Sequence, residues 1–225
     1  MIYLFDLDGT LTNSEEGIIK AFHYTFEKMG MPDMNDEDLK EFIGPPLDET
    51  FRRRFNLYGE ENEKAMSYFR EYYRAKGKYE NIPYTGIKEL LQEVSKKATL
   101  AVCTSKVLDQ AQDIIKHYGL EYFTFIGGAT IDSSRTKKYD IIEYTLEKLN
   151  VKDRSEVYMI GDRFTDINGA HRAGLKAIGV LYGFGSKEEL EECKSDYIVE
   201  TVEELKELLL KLWDGRPSLF FITKQ

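Results

Sequence analysis

The sequence predicts an α/β protein: a parallel sheet with helices on both faces, interrupted by an all-helical insertion. Three observations predict it. From about residue 82 onward, short apolar runs alternate with segments of helical period, the pattern of strand–helix–strand units that build a parallel sheet. Between residue 14 and about residue 79 only helical periods occur. The chain has 225 residues, about one and a half domains of roughly 150 residues each. That length suits one core plus an insertion better than two equal domains.

The first element is the run from Ile2 to Phe5, short, β-rich and ending at acids, which reads as a buried strand followed by a functional turn. In the insertion, Ile18, Ile19, Phe22, Phe26 and Met29 recur at helical spacing. Leu39, Phe42 and Ile43 follow, then Leu47, Phe51 and Phe55, then Tyr68, Phe69, Tyr72 and Tyr73. Gly30, Pro32, Gly44-Pro45-Pro46 and Gly59 separate these helices, because glycine and proline end helical runs. The second half then predicts a helix over 86–96, a strand over 99–103, a helix over 108–118 and a strand over 123–126. A helix over 139–149, a strand over 156–160, a helix over 167–173 and a strand over 177–180 come next. A short helix from Lys187, a strand over 197–199 and a helix over 202–213 complete the series. The core is thus expected over 1–13 and 82–225, with the helical insertion over 14–81. The tail holds Leu219-Phe220-Phe221-Ile222, a docked end or an apolar contact patch.

Composition narrows the function. With 42% hydrophobic and 13% aromatic residues, there is ample material for a core, which excludes a disordered chain. Acidic side chains outnumber basic ones, 40 to 31, for a net charge of −9. That argues against a nucleic-acid binder but not against a small anionic substrate, because a local field can oppose the net charge. Two cysteines, Cys103 and Cys193, rule out a disulfide framework and a paired-cysteine metal knuckle. The N-terminal MIYLFDLDGT reaches two acids within eight residues, unlike a secretory signal. No apolar run approaches the ~20 residues needed to span a bilayer. The expectation is a cytoplasmic protein, a monomer or weak homodimer, with no membrane or nucleic-acid partner.

In a parallel sheet of this kind, ligands bind beyond the carboxyl ends of the strands. Asp6, Asp8, Gly9 and Thr10 follow the first strand, and Thr104, Ser105 and Lys106 follow the strand over 99–103. Lys137 and Lys138 introduce the helix over 139–149, and Gly161, Asp162 and Asp166 follow the strand over 156–160. Four separate segments therefore bring carboxylates, hydroxyls and ammonium groups to one edge. A lone Asp-x-Asp at a strand end is commonly a solvated turn, a lone Lys-Lys surface charge, and a Gly-Asp a helix cap. Their joint appearance, each at a strand end, points to chemistry. Carboxylates brought together repel, and Mg²⁺, which takes oxygen ligands and bridges to phosphate, relieves the repulsion. A carboxylate can also be the nucleophile. A second carboxyl two residues away can act as acid and base, while a lysine and a hydroxyl stabilise charge on a transferring phosphoryl group.

These residues match a family. Asp6-Leu-Asp-Gly-Thr10 resembles the first motif of the haloacid dehalogenase superfamily in its phosphatase form. Thr104 resembles the second motif, the lysine of Thr-Lys-Lys-Tyr-Asp the third, and Gly161-Asp-Arg-Phe-Thr-Asp166 the fourth. The resemblance implies a Rossmann-like core, with the helical insertion standing where the family places its C1 cap. FIGPPLDETF, TSK, SRTKK and IGVLYGFGSKEEL look most like the phosphoglycolate phosphatase and 5′-nucleotidase-like branch.

The resemblance also implies roles. Asp6 is the nucleophile and a metal ligand, and Asp8 is the acid/base whose main-chain carbonyl ligates Mg²⁺. Asp162 is a metal ligand, and Asp166 acts on the metal directly or through water. Thr104 and the amide after it hold a phosphoryl oxygen. Gly9, Thr10 and Ser105 are assigned to the phosphate side of the site, Gly9 by allowing close backbone approach. Of the two lysines, Lys138 is preferred to Lys137 because it directly precedes the helix start. Asp8 favours phosphatase over dehalogenase, which lacks that second carboxylate. One departure is Thr12-Asn13-Ser14, where the family often has Asp-Ser or Asp-Thr; it bears on the hinge to the cap.

For specificity, Gly44 and Pro45, with Pro46, form a rigid turn that could reach the active site as the cap closes, or a plain interhelix turn. Arg52, Arg53 and Arg54 point in diverging directions on a helix and read as a solvated face. The aromatics Phe22, Phe26, Tyr68 and Tyr72 read as packing. His23, His117 and His171 show no ligand spacing. The implied function is Mg²⁺-dependent hydrolysis of a small phosphorylated metabolite through an aspartyl-phosphate, with phosphoglycolate or a nucleoside 5′-monophosphate favoured. A phosphomutase of the β-phosphoglucomutase type shares motifs and cap class. A non-enzymatic phospho-aspartate switch is disfavoured by the large insertion, and an idle scaffold by the full set of chemical residues.

Overall fold

The computed structural model describes residues 1–45, 47–132 and 134–215; the apolar tail segment at 219–222 lies outside the described residues. Strand β1 (Ile2–Phe5) is followed by the two-residue strand β2 (Thr12–Asn13). The chain then runs through helices α1 (Glu15–Met29), α2 (Asp36–Leu39), α3 (Leu47–Phe55) and α4 (Gly59–Ala75). It returns at β3 (Ile82–Pro83) and continues as α5 (Ile87–Val94), β4 (Thr99–Val107), α6 (Leu108–His117) and β5 (Phe125–Ala129). The remaining elements are α7 (Lys138–Lys148), β6 (Val157–Gly161), α8 (Phe164–Arg172), β7 (Lys176–Val180), α9 (Lys187–Glu192), β8 (Tyr197–Val199) and α10 (Val202–Trp213). Contacts divide the chain into two units, one of Met1–Thr12 with the chain from Pro83 onward, the other Asn13–Ile82. The dividing points lie one residue from those the sequence suggests.

In the first unit, six strands form one parallel sheet in the order β5-β4-β1-β6-β7-β8. Side chains alternate between its faces. Tyr3, Phe5, Val102 and Ile160 join one buried cluster with residues of α5, α6 and α10. Leu4, Ala101, Cys103 and Met159 join the other with residues of α7, α8 and α9. Burial on both faces explains why the strands read as continuous apolar runs. Fully burying such a side chain stabilises by about 1.5–3 kcal/mol, so truncating Phe5, which is 0% exposed, would cost about 3–5 kcal/mol.

The sheet order reverses around β1: the chain builds outward through β4 and β5 on one side and through β6, β7 and β8 on the other. Such a switch point opens a crevice at the carboxyl ends of the strands. The segments after β1, β4 and β6 therefore meet there. Strand β4 runs four residues past its expected end at Cys103. Its pairing with β5 is irregular between Thr104 and Val107: Thr104 faces Gly128 and Val107 faces Ala129. Ser105 and Lys106 are thus extra residues in a bulge, a device that re-aims side chains next to sites. Period-two reading of an apolar run has no means of extending a strand through such polar residues.

The second unit packs its helices around Phe22, whose ring lies 5.0–6.4 Å from those of Phe26, Phe42, Phe51, Phe55 and Phe69. These aromatics are core, as their spacing indicates. Arg52, Arg53 and Arg54 pair with Asp48, Glu49 and Glu41 along the exposed face. Asn13 accepts a hydrogen bond from the Glu15 amide at 2.9 Å, so it caps α1 in place of the Ser14 side chain, which makes no capping bond. Among the described residues no helix is long and apolar enough to cross a membrane.

Candidate active site

Asp6 stands directly after β1, and the turn that follows carries Asp8, Gly9 and Thr10. Asp6 Oδ1 accepts from the Leu7 amide and lies 2.8 Å from the Lys138 ammonium. Lys138 is the first residue of α7 and is 5% exposed. Its Nζ also lies 2.8 Å from Asp166 Oδ1 and donates to the Cys103 carbonyl at 3.1 Å. The ammonium is thus paired with two carboxylates and donates one hydrogen bond to a main-chain carbonyl. Burial opposes the charge on Lys138, but Asp166 and Asp6 outweigh it and raise its pKa, so the group stays protonated. Lys137, by contrast, is exposed at the helix cap.

Asp162 follows β6 and is 0% exposed. Its Oδ2 accepts from the Phe184 amide at 2.9 Å, and its Oδ1 from the Thr10 hydroxyl at 3.3 Å. Burial, then the charges of Asp166 and Asp6, push its pKa well above the ordinary carboxylate range. Asp166 is also fully buried and serves twice. Its Oδ2 accepts from the Arg163 amide at 3.1 Å, closing the first turn of α8, while Oδ1 meets Lys138. Burial raises its pKa to about 6 against the pull of Lys138. That capping bond explains why α8 begins three residues before its expected start.

Asp6, Asp162 and Asp166 each present an oxygen within 4.8 Å of the other two. With Asp8, four carboxylates face two ammonium groups, Lys138 and Lys106. Carboxyl groups outnumber ammonium groups there by two, a crowding that goes with the raised pKa of Asp162 and Asp166, and all donors are hard oxygens. This donor set suits a divalent cation such as Mg²⁺.

Gly9 has φ of +76°, a left-handed conformation that favours glycine. A Cβ there would collide with the Asp162 carboxylate. Thr10 is fully buried, and its carbonyl accepts from the Tyr182 hydroxyl at 3.1 Å. Thr104 is 1% exposed, and its Oγ1 accepts from the Lys106 amide at 3.2 Å, which leaves the hydroxyl proton available for a ligand. Ser105 is half-buried in the bulge. Gly44 and Pro45 lie in the second unit, in the turn before α3, where Gly44 has φ of +104°.

The sequence reading brought Lys106 to this edge without giving it a role, and it assigned none to Tyr182, Gly183 or Phe184. Lys106 Nζ lies 2.9 Å from Asp8 Oδ2. Tyr182 and Phe184, after β7, hold Thr10 and Asp162. A Cβ on Gly183 would collide with the Gly9 carbonyl and with Asp162. The glycine spacing in Leu181-Tyr182-Gly183-Phe184-Gly185 was the available signal of a close backbone approach.

Sheet order and carboxylate placement define a hydrolase of the haloacid dehalogenase type. The family model for haloacid dehalogenase-like hydrolases matches residues 3–180, well over half the chain, and the chain belongs to that family. A 5′-nucleotidase of Pseudomonas aeruginosa is 36% identical over 92% of this chain and 94% of its own length. The tyrosine-protein kinase PtkA of Mycobacterium tuberculosis is 34% identical over 92% of this chain and 72% of its own length. A predicted phosphatase from Clostridium acetobutylicum has a similar solved structure, with a TM-score of 0.89 and 41% identity over 93% of this chain and 98% of that one. The expectation of an enzyme of the phosphatase class stands with these relatives.

Proposed function

We propose that the chain is a Mg²⁺-dependent phosphomonoester hydrolase of a small phosphorylated metabolite in the cytoplasm, with phosphoglycolate or a nucleoside 5′-monophosphate favoured. One observation carries the reading. A buried Lys138 lies 2.8 Å from both Asp6 and Asp166, two members of a three-carboxylate cluster. Asp6, Asp162 and Asp166 would hold Mg²⁺, together with the Asp8 main-chain carbonyl. When bound, the ion supplies positive charge against the phosphoryl oxygens.

The chain's own residues divide the remaining work. Asp6 attacks phosphorus and becomes the aspartyl-phosphate. Lys138 keeps Asp6 ionised and oriented, and adds positive charge where the transferring group gathers negative charge. The Thr104 hydroxyl and the amides beside it hold a phosphoryl oxygen. Asp8 gives a proton to the leaving oxygen and then takes one from the attacking water. Gly9 lets the backbone approach the group, and Asp162 is held still by Thr10 and the Phe184 amide.

The test is a panel of phosphate esters with and without Mg²⁺. Relatives of similar identity carry nucleotidase and tyrosine-kinase names, so the panel spans phosphoglycolate, nucleoside monophosphates, sugar phosphates and phosphotyrosine. Release of inorganic phosphate that requires Mg²⁺ supports the reading. An isomeric sugar phosphate as product, or no phosphate release from any ester, contradicts it.

A further inference from the structure

Lys106 pairs with Asp8, a carboxylate that is not among the three converging ones. We propose that Lys106 is a positioning residue for Asp8: it clamps one carboxylate oxygen so that the other is presented to the leaving group and then to water. The inference rests on the hydrolase reading above and deepens it.

Three observations carry it. The side chains of Lys106 and Asp8 are only 6% and 16% exposed, and Nζ lies 2.9 Å from Oδ2. A solvent-exposed pair is screened and loosely held, whereas a pair this enclosed fixes the direction of both groups. The other oxygen, Asp8 Oδ1, is buried and has no hydrogen-bond partner among the described residues, which is costly unless a ligand uses it. The backbone, finally, is shaped for this lysine. Lys106 lies in the bulge between Thr104 and Val107, its amide donates to the Thr104 hydroxyl oxygen, and a Cβ on Gly128 would crowd the Lys106 carbonyl and Leu108.

The chemistry balances on that free oxygen. As Asp6 bonds to phosphorus, the ester P–O bond breaks and its electron pair goes to the leaving oxygen, which takes the proton from Asp8 Oδ1. Water oxygen then bonds to phosphorus and yields a proton to the same Oδ1. The Asp6–phosphorus bond breaks, returning the Asp6 carboxylate and releasing phosphate. Lys106 exchanges no proton in either step.

The experiment compares kcat/KM for two esters of similar shape in the presence of Mg²⁺: phenyl phosphate, whose leaving oxygen needs a proton, and 2,4-dinitrophenyl phosphate, whose leaving oxygen does not. The ratio of the two values does not depend on how much of a variant folds. For Lys106→Met the proposal expects a fall of about tenfold or more with phenyl phosphate, within the range of acid–base contributions, and little change with the dinitro ester. Lys106→Arg should restore most of the loss. Equal losses on both esters, no loss on either, or a change confined to KM would overturn it, the last by making Lys106 a substrate-binding group. Wild-type protein that releases no phosphate from these two esters or from any ester of the panel above would instead remove the hydrolase reading, and the proposal with it.

Discussion

Lys138 Nζ lies 2.8 Å from Asp6 Oδ1 with 3% of the lysine side chain exposed. Lys138 is thereby distinguished from its neighbour by geometry, since Lys137 sits exposed at the cap of the same helix. Lys138→Met should lower kcat/KM by about 10²–10³-fold, the cost of removing one preorganised charge from a transferring group. It should also destabilise the fold by about 3–5 kcal/mol, because Asp166 is left as an uncompensated buried charge. Lys137→Met should leave both quantities nearly unchanged. Steady-state kinetics and denaturant unfolding check this, and equal effects from the two substitutions would contradict it.

Gly9 offers a second test. Its φ of +76° and the absence of room for a Cβ beside Asp162 mean that Gly9→Ala must strain the turn and displace a carboxylate of the cluster. The expected outcome is a loss of about 1 kcal/mol or more in stability together with weaker Mg²⁺ binding by calorimetry. Wild-type Mg²⁺ affinity in Gly9→Ala would show that the turn does not set the cluster.

Mg²⁺ should stabilise the protein even without substrate. Asp6, Asp162 and Asp166 converge within 4.8 Å, and carboxyl groups outnumber ammonium groups at the site. A ligand bound only to the folded state adds about 2.7 kcal/mol at one hundred times its Kd. Wild-type Tm should therefore rise with Mg²⁺ by several degrees, while Asp162→Asn should respond weakly or not at all. A rise of the same size in both proteins would place the ion elsewhere.

The second unit carries its own pH dependence. Burial lowers the pKa of His23, but hydrogen bonds to Asp33 and Asp36, at 2.6 and 2.8 Å, outweigh it and raise the pKa above the ordinary imidazole value. Protonation is then favoured in the folded state. The resulting stability is fully present below the unfolded pKa of about 6.5 and is lost as pH rises through the higher folded value. Comparing the Tm of wild type with that of His23→Gln from about pH 5.5 to 8.5 isolates this group. The advantage of wild type should shrink with rising pH, and a constant difference would contradict the assignment.

Much of this molecule was legible in its sequence, for physical reasons. Strands buried on both faces leave unbroken apolar runs such as Leu100 to Cys103, and β8 and α10 have the ends their patterns suggest. Acids placed directly after β1 and β6 mark the carboxyl edge, where only a ligand or a cap can use them. The preference for Lys138 came from its place at the helix start, and the distance to Asp6 agrees with it. The bulge at Ser105 and Lys106 was hidden, since it depends on pairing with Gly128 and Ala129, far along the chain. Lys106 consequently read as one more polar residue after a strand. The hold of Tyr182 and Phe184 on Thr10 and Asp162 joins positions 22 to 172 residues apart, which no local pattern encodes.

The central claim is that Asp6 carries the phosphoryl group. The most direct measurement is to quench the turning-over enzyme, reduce it with borohydride and locate the modified residue by peptide mass spectrometry, since reduction converts an aspartyl-phosphate to homoserine. Homoserine is expected at position 6, with Mg²⁺ and substrate both required and no signal in Asp6→Asn. Modification at another residue, or full Mg²⁺-dependent turnover in Asp6→Asn, would contradict it.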